Sequence, residues 1–294
     1  MRRKVTVVGG GSVGATCAQR LAERDYADIV LIDTDPEQAA RVALDINVAC
    51  SIIDHGPSVT GTDRYEELSG SEIVIIAVDT DDNAAAAAEI APQVRDRAPN
   101  SVVIVVSNPL EGVCHAVYDV LEFPRERVIG MAGALHSSAL RMILAGKLGV
   151  SPHDVDAVVL GGHADTMVPL LSCATVAGIA IRKRIGEDEI DDAVKRVRDA
   201  ATPREHQMAP QHAPSAALGE MVDALLLDQK RVLPCAALTK GEYDFEEIFV
   251  GLPVKLGVGG IEEIVEMNLD DEERRQLAES AKAVEKMVGS RARV

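Results

Sequence analysis

Tryptophan is absent from the chain, and only three phenylalanines and four tyrosines occur among its 294 residues. The core must therefore be aliphatic, built from Val, Ile, Leu and Ala. Positive charge is also scarce. The formal net charge is −17, with Arg in excess of Lys among the bases. Such a surface repels phosphate, which argues against nucleic acid as a partner. An acidic, lysine-poor surface also suits a salt-rich cytoplasm, although many ordinary cytosolic proteins are acidic. The five cysteines, Cys17, Cys50, Cys114, Cys173 and Cys235, are scattered and odd in number. They read as reduced core residues, and no spacing among them suggests zinc or another metal. No apolar run reaches the length of a membrane span, and Met1-Arg-Arg-Lys enters a strand without room for a signal peptide, so a cytoplasmic location is expected. What remains is ample: the length and the apolar fraction of 47% allow two lobes, each with its own core.

The first thirty-odd residues organise the rest. Val5 to Val8 is a short apolar run suited to a doubly buried strand, and Gly9, Gly11 and Gly14 follow it in GxGxxG spacing before a helical stretch to Arg24. Gly9 allows the tight turn, Gly11 lets the backbone approach a pyrophosphate, and Gly14 lets the helix sit close to its strand. The N–H groups of the first helical turn, at Ser12, Val13 and Gly14, then face a phosphate pair. A second apolar run ends at Asp33, nineteen residues beyond Gly14. A carboxylate there accepts hydrogen bonds from ribose hydroxyls and repels a 2′-phosphate, which favours NAD over NADP. A glycine-rich turn without a ligand is the plainer alternative.

The chain then alternates. Helices are expected over Pro36 to Val48, Ala84 to Arg97 and Leu110 to Val120. Strands are expected over Ser58 to Gly61, Glu72 to Val78, Ser101 to Val106 and Arg127 to Gly130. This alternation marks an α/β fold with a doubly wound parallel sheet of the Rossmann type. Asp33, Asp79 and Asn108 all fall at carboxyl ends of strands, where such sheets bind ligands. From Leu135 the texture becomes α+β. It comprises a helix to Leu148, a strand Asp156 to Leu160, and the sequence Gly161-Gly-His163-Ala-Asp165. Antiparallel pieces follow over Val168 to Ile181, with helices Glu187 to Asp199 and Ala216 to Leu227. Lys230 to Thr239, Glu247 to Pro253 and Val254 to Val258 read as strands, and Gly259-Gly260 as a turn. A last helix from near Asp270 carries Leu277, Ala281, Val284 and Val288 on one stripe. The domains expected are a nucleotide-binding 1–134 and a catalytic 135–294. On residue type alone, His163 is either a structural histidine at a turn or a group able to exchange a proton near neutrality. Asn108 is either a polar group at a site or a helix cap before Pro109.

Several segments together resemble the lactate and malate dehydrogenases, most closely the lactate-dehydrogenase-like malate dehydrogenases. They are the glycine loop with Asp33, Val106-Ser-Asn-Pro-Leu110, Arg127-Val-Ile-Gly130, Gly161-Gly-His-Ala-Asp-Thr-Met-Val-Pro169, Gly251-Leu-Pro-Val-Lys-Leu-Gly257 and Gly259-Gly-Ile-Glu-Glu-Ile-Val265. The resemblance implies hydride transfer between NAD and a small 2-hydroxy or 2-keto compound, and a homodimer or homotetramer. It makes His163 the acid/base and sets Asn108 near the nicotinamide.

The same comparison exposes departures. Family members orient the histidine with an aspartate in a Leu-Asp-x-x-Arg segment whose arginine grips the substrate carboxylate through two hydrogen bonds. Here the segment reads Leu135-His136-Ser-Ser-Ala139-Leu-Arg141, so His136 stands at the aspartate position and Ala139 at the arginine position. Arg141, two residues on, is turned to another helix face. The long arginine-bearing lid is also missing. Asp79-Thr-Asp-Asp-Asn83 leads straight into the alanine helix, with no arginine between Arg64 and Arg95. These departures make ordinary malate or lactate turnover doubtful, and a catalytically inactive NAD-binding paralogue is the alternative. They also give His136 a possible new role: as a neutral imidazole, it could accept a hydrogen bond from His163 and hold its tautomer.

Overall fold

A computed structural model describes residues 2–53, 55–56, 58–163, 166–201 and 211–291. The chain divides into two compact units. The first comprises Met1–Met131 with Ala209–Arg231 and Leu256–Glu262, and the second Ala132–Met208 with Val232–Lys255 and Glu263–Val294.

In the first unit, six strands form a parallel sheet: β1 (Arg3–Val8), β2 (Ala27–Ile32), β3 (Val59–Thr62), β4 (Ile73–Ile76), β5 (Val102–Val105) and β6 (Val128–Gly130). Their order is β3-β2-β1-β4-β5-β6, so the chain reverses direction across the sheet between β1 and β4. Strands covered on both faces read as unbroken apolar runs, and β4 and β5 are buried at every position. Four helices connect these strands: α1 (Ser12–Ala22), α2 (Pro36–Ile52), α3 (Asn83–Arg97) and α4 (Leu110–Leu121). The start of α2 follows the rules for a helix N-terminus. Pro36 sits at the first helical position, and the Asp35 carboxylate accepts from the Gln38 N–H at 3.0 Å. Likewise Asp82 caps α3, accepting from Ala85 N–H at 3.1 Å. Ile53 ends α2 one turn later than the apolar pattern suggests, because Val48, Ile52 and Ile53 stay exposed and leave no burial signal.

In the second unit the order of pairing is β10-β11-β7-β8-β9 and all of it is antiparallel. The strands are β7 (Val155–Gly161), β8 (Met167–Val176), β9 (Ile179–Ala180), β10 (Val232–Lys240) and β11 (Glu246–Gly257). Helix α5 (Gly133–Leu148) lies against β7, and α6 (Glu187–Ala201) lies against α5 around a core that includes Leu140, Leu144, Val159 and Ile190. The last helix, α8 (Asp271–Arg291), buries Leu277, Ala281 and Val284 against Leu160, Val168, Val250 and Leu252. This is the stripe its sequence announces.

Three features differ from the sequence reading. Residues 247–258, read as two strands broken at Pro253, form up to Gly257 part of the single strand β11 (Glu246–Gly257). Pro253 stands opposite Pro234 of β10, so two residues without N–H groups face each other and the strand continues through them. A short strand that the sequence hid, β12 (Gly260–Ile264), then pairs with β11. The remaining helix, α7 (His212–Leu226), starts four residues earlier than its pattern suggests and packs on α1 in the first unit. There the Asp223 carboxylate accepts from Arg24 Nε at 2.6 Å and from the Tyr26 hydroxyl.

Candidate active site

In the first unit, the structure brings Gly9, Gly11, Ser12, Val13, Gly14 and Asp33 together. Gly9 has a φ of +107°, and a Cβ there would lie 2.3 Å from the Ala77 carbonyl oxygen at the end of β4. A Cβ at Gly14 would lie 1.8 Å from the Gly9 carbonyl oxygen, so only glycine lets α1 close onto its own loop. Gly11 is different. It is the N-cap of α1, no side chain caps the helix there, and a Cβ on it would meet nothing within 4 Å. The N–H groups of Ser12, Val13 and Gly14 have no acceptor inside the helix because they belong to its first turn. No acid stands in that turn. Free donors, the positive end of the helix and open space before Gly11 form a cradle for an anion. Asp33 closes it from the side, accepting from Gly10 N–H at 2.5 Å and Asp35 N–H at 3.0 Å, and remains partly open to solvent. These residues fit the pyrophosphate and ribose of a dinucleotide.

Asn108 follows β5 in the same unit, before a cis bond to Pro109. Its role as a helix cap is not what the structure shows: Pro109 is the N-cap of α4, and no side chain caps that helix. The Asn108 carbonyl instead accepts from Asn83 Nδ2 at 2.8 Å. Through this bond the segment after β5 is tied to the segment after β4, where Asp79, Asp81 and Asp82 stand exposed.

The second unit holds His163 and His136. His163 follows β7 at a turn built from two glycines and two hydroxyls. Gly161 has a φ of +81°, Gly162 N–H donates to Ser280 Oγ at 2.9 Å, and Thr166 Oγ1 donates to the His163 carbonyl at 3.0 Å. Ser280 and Thr166 escaped the sequence reading, since a serine in a helical stripe and a threonine after a turn carry no signal of their own. His136 lies in the first turns of α5, whose start is pressed against β7. A Cβ on Gly133 would lie 2.1 Å from the Val159 carbonyl oxygen, and Ser137 Oγ accepts from Val159 N–H at 2.9 Å.

The two imidazole rings meet with centroids 4.8 Å apart and planes inclined by 47°. The hydrogen bond between them expected from the sequence is not formed. Neither nitrogen of His136 has a hydrogen-bond partner, and the residue is only 3% exposed. Burial, helped by the neighbouring His163, pushes the His136 pKa down to about 3, and burial also lowers that of His163. At neutral pH the site is a pair of neutral rings. Further along α5, Arg141 Nη2 donates to the Ser138 hydroxyl at 2.8 Å. His212 is the exposed first residue of α7. Among the described residues no cluster of His, Cys, Asp and Glu could hold a metal ion.

A parallel sheet in the order seen here, with a glycine cradle at the start of α1 and an acid at the end of β2, defines a dinucleotide-binding α/β protein. Residues 3–130 match the family model described as the lactate/malate dehydrogenase NAD binding domain, and residues 134–291 match that of the family's alpha/beta C-terminal domain. The chain is 40% identical over 302 residues to the malate dehydrogenase of Thermomicrobium roseum, a match covering 98% of each protein. It is 41% identical over 297 residues to that of Chloroherpeton thalassium, covering 96% of each. Among solved structures, the malate dehydrogenase from Salinibacter ruber superposes with a TM-score of 0.94 at 38% identity, covering 99% of this chain and 98% of that one. The lactate dehydrogenase from Eimeria maxima, solved with NADH and oxamate, gives a TM-score of 0.96 at 30% identity over 99% of this chain and 95% of that one. The chain belongs to the lactate/malate dehydrogenase family, and its cofactor is NAD.

Proposed function

We propose that this protein is an NAD-dependent oxidoreductase of a small 2-hydroxy or 2-keto compound, with a substrate pocket changed from that of malate and lactate dehydrogenases. The observation that carries the reading is His163, a half-buried neutral imidazole on a turn fixed by Ser280 and Thr166. NAD, when bound, supplies the acceptor or donor of hydride. The first-turn N–H groups of Ser12, Val13 and Gly14 would hold its pyrophosphate, Asp33 its adenosine ribose, and Asn108 would hydrogen-bond near the nicotinamide. Neutral His163 takes the proton of the substrate hydroxyl during oxidation and returns it during reduction. His136 stands beside it and stabilises the imidazolium less than a carboxylate would.

The change of substrate rests on Ala139 and on the short Asp79–Asn83 segment. A charge-assisted hydrogen bond contributes about 1.5–3 kcal/mol, and a bidentate arginine makes two. An alanine at that position forfeits both, and each 1.36 kcal/mol is about tenfold in rate. The same observation favours a second reading, a catalytically inactive paralogue that binds NAD for a regulatory or assembly role. We assign the protein to the cytoplasm, as a homodimer or homotetramer. Leu44, Val48 and Ile52, exposed four residues apart along α2, form the apolar stripe that such an interface would cover.

Fluorescence titration with NADH, followed by a screen of 2-hydroxy acids and neutral hydroxy compounds at low and high salt, separates the readings. The first expects saturable NADH binding and turnover that disappears in His163→Ala. Tight binding with no turnover of any compound would establish the second.

A further inference from the structure

Ser215 lies in the first turn of α7 and is fully buried. Serine lacks the helix propensity of alanine, and its hydroxyl in such a place commonly does no more than bond the carbonyl four residues back on its own helix. That bond is present here. Ser215 Oγ lies 2.6 Å from the Gln211 carbonyl oxygen, which also accepts the Ser215 N–H at 3.2 Å. A second acceptor comes from another element of the same unit: the Val13 carbonyl oxygen of α1 lies 3.0 Å from the same hydroxyl. A hydroxyl has one proton to give, so the two carbonyls share it.

Val13 belongs to the first turn of α1, into which the glycine loop opens. Its carbonyl is one end of the peptide whose other end is the Gly14 N–H, a donor without an acceptor inside the helix. A peptide that accepts a hydrogen bond at its oxygen becomes a stronger donor at its nitrogen, an effect of about 10–30% per bond. The same bond holds the peptide in one orientation, since it comes from a side chain that burial fixes. At its other end the contact between α1 and α7 is made differently, by the Asp223 carboxylate with Arg24 and Tyr26, beyond the end of α1.

We propose that Ser215 is a positioning residue for the dinucleotide: its hydroxyl, shared between Gln211 and Val13, orients and polarises the Val13–Gly14 peptide so that the Gly14 N–H binds the pyrophosphate. The inference rests on the reading of Gly11 to Gly14 as the pyrophosphate cradle. Negative charge before the Gly14 N–H increases that on the Val13 oxygen, so an occupied cradle draws the Ser215 proton from Gln211 toward Val13. Cofactor binding and the first turn of α7 are coupled through that one proton.

The experiment titrates the full-length protein with NADH, ADP-ribose and adenosine, and follows the Gly14 amide resonance after labelling with isotopic glycine. Ser215→Ala and Ser215→Cys are both expected to weaken NADH and ADP-ribose about two- to fivefold and to leave adenosine, which has no phosphate, unchanged. Alanine is the better helix former, and cysteine keeps the volume while its thiol donates only weakly, so the pair separates the lost proton from any lost packing. The shift of the Gly14 amide on saturation with ADP-ribose should shrink in both. Asp223→Asn, which loosens the same helix contact at its other end, should lower the melting temperature without changing either affinity. The proposal is overturned if the Ser215 variants bind ADP-ribose as tightly as the wild type, if adenosine weakens in parallel, or if Asp223→Asn weakens ADP-ribose equally. A wild type that binds no ADP-ribose fails earlier, at the cradle reading, and takes this proposal with it.

Discussion

His136 buries two ring nitrogens that meet no partner, and its ring lies against that of His163. Burial depresses both pKa values below the ordinary histidine value, and the sign of the consequence can be worked through. A group whose folded pKa is lowered binds its proton more readily in the unfolded chain. Stability is therefore full above about pH 6.5 and declines as pH falls through the window between 6.5 and the folded pKa, about 3 for His136. One such histidine contributes a slope of about 1.4 kcal/mol per pH unit. Urea unfolding of His136→Gln against the wild type between pH 6.5 and pH 4.5 should show the variant losing less stability on acidification, by an amount approaching that slope. Parallel curves would mean that His136 takes up its proton in the folded state.

The same depression shapes the reaction, because oxidation needs neutral His163 as the base. The acid limb of kcat/KM for oxidation is expected below pH 6.5, and His136→Asp, which restores a carboxylate beside His163, should move it to higher pH. An unmoved limb would show that the neighbour does not act on His163. The expectation of an acid/base at position 163 comes from the resemblance to the dehydrogenases, because a Gly-Gly-His turn after an apolar strand by itself leaves a structural histidine equally open. The ring-on-ring contact with His136 could not be read from the chain, since it depends on how closely α5 is pressed to β7 by Gly133 and Ser137.

At the scale of elements, the glycine loop shows how one motif mixes two demands. Gly14 is needed by the fold, whereas a side chain at Gly11 would meet only the open space where the proposed cofactor would sit, and their surroundings separate the two. Gly14→Ala would push a methyl group to 1.8 Å from a backbone oxygen, and overpacking of this kind is expected to cost about 3 kcal/mol or more. Gly11→Ala meets open space at a φ of −65°, so it should cost about 1 kcal/mol or less. Its NADH affinity should nonetheless fall about tenfold or more, since the methyl group occupies the cradle. Thermal melts and NADH titrations of the two variants check this, and equal loss of stability would refute the division. Most strands and helices of the first unit were legible because each has its own apolar period. Those that were misread depend on partners. Strand β11 survives Pro253 only because Pro234 faces it, β12 exists only by pairing with β11, and the first turn of α7 is apolar only in part.

For the whole molecule, charge is the property that composition states most plainly and that no single contact expresses. The ion pairs within the first unit, such as Arg2 with Asp25 and Arg64 with Glu67, are largely exposed, and pairs of this kind contribute little each. What they leave over is an excess of negative charge spread across both units, whose self-repulsion opposes the compact state. Salt shortens the range of that repulsion from about 30 Å at 0.01 M to about 3 Å at 1 M. The melting temperature is therefore expected to rise steadily between those concentrations of KCl. The exposed pairs are screened over the same range and act the other way, but their small individual worth leaves repulsion dominant. The decisive measurement compares KCl with an equal concentration of a neutral osmolyte. A rise specific to the salt and levelling off near 1 M supports charge repulsion as the term relieved, whereas a melting temperature that falls with KCl would show that the favourable pairs outweigh it.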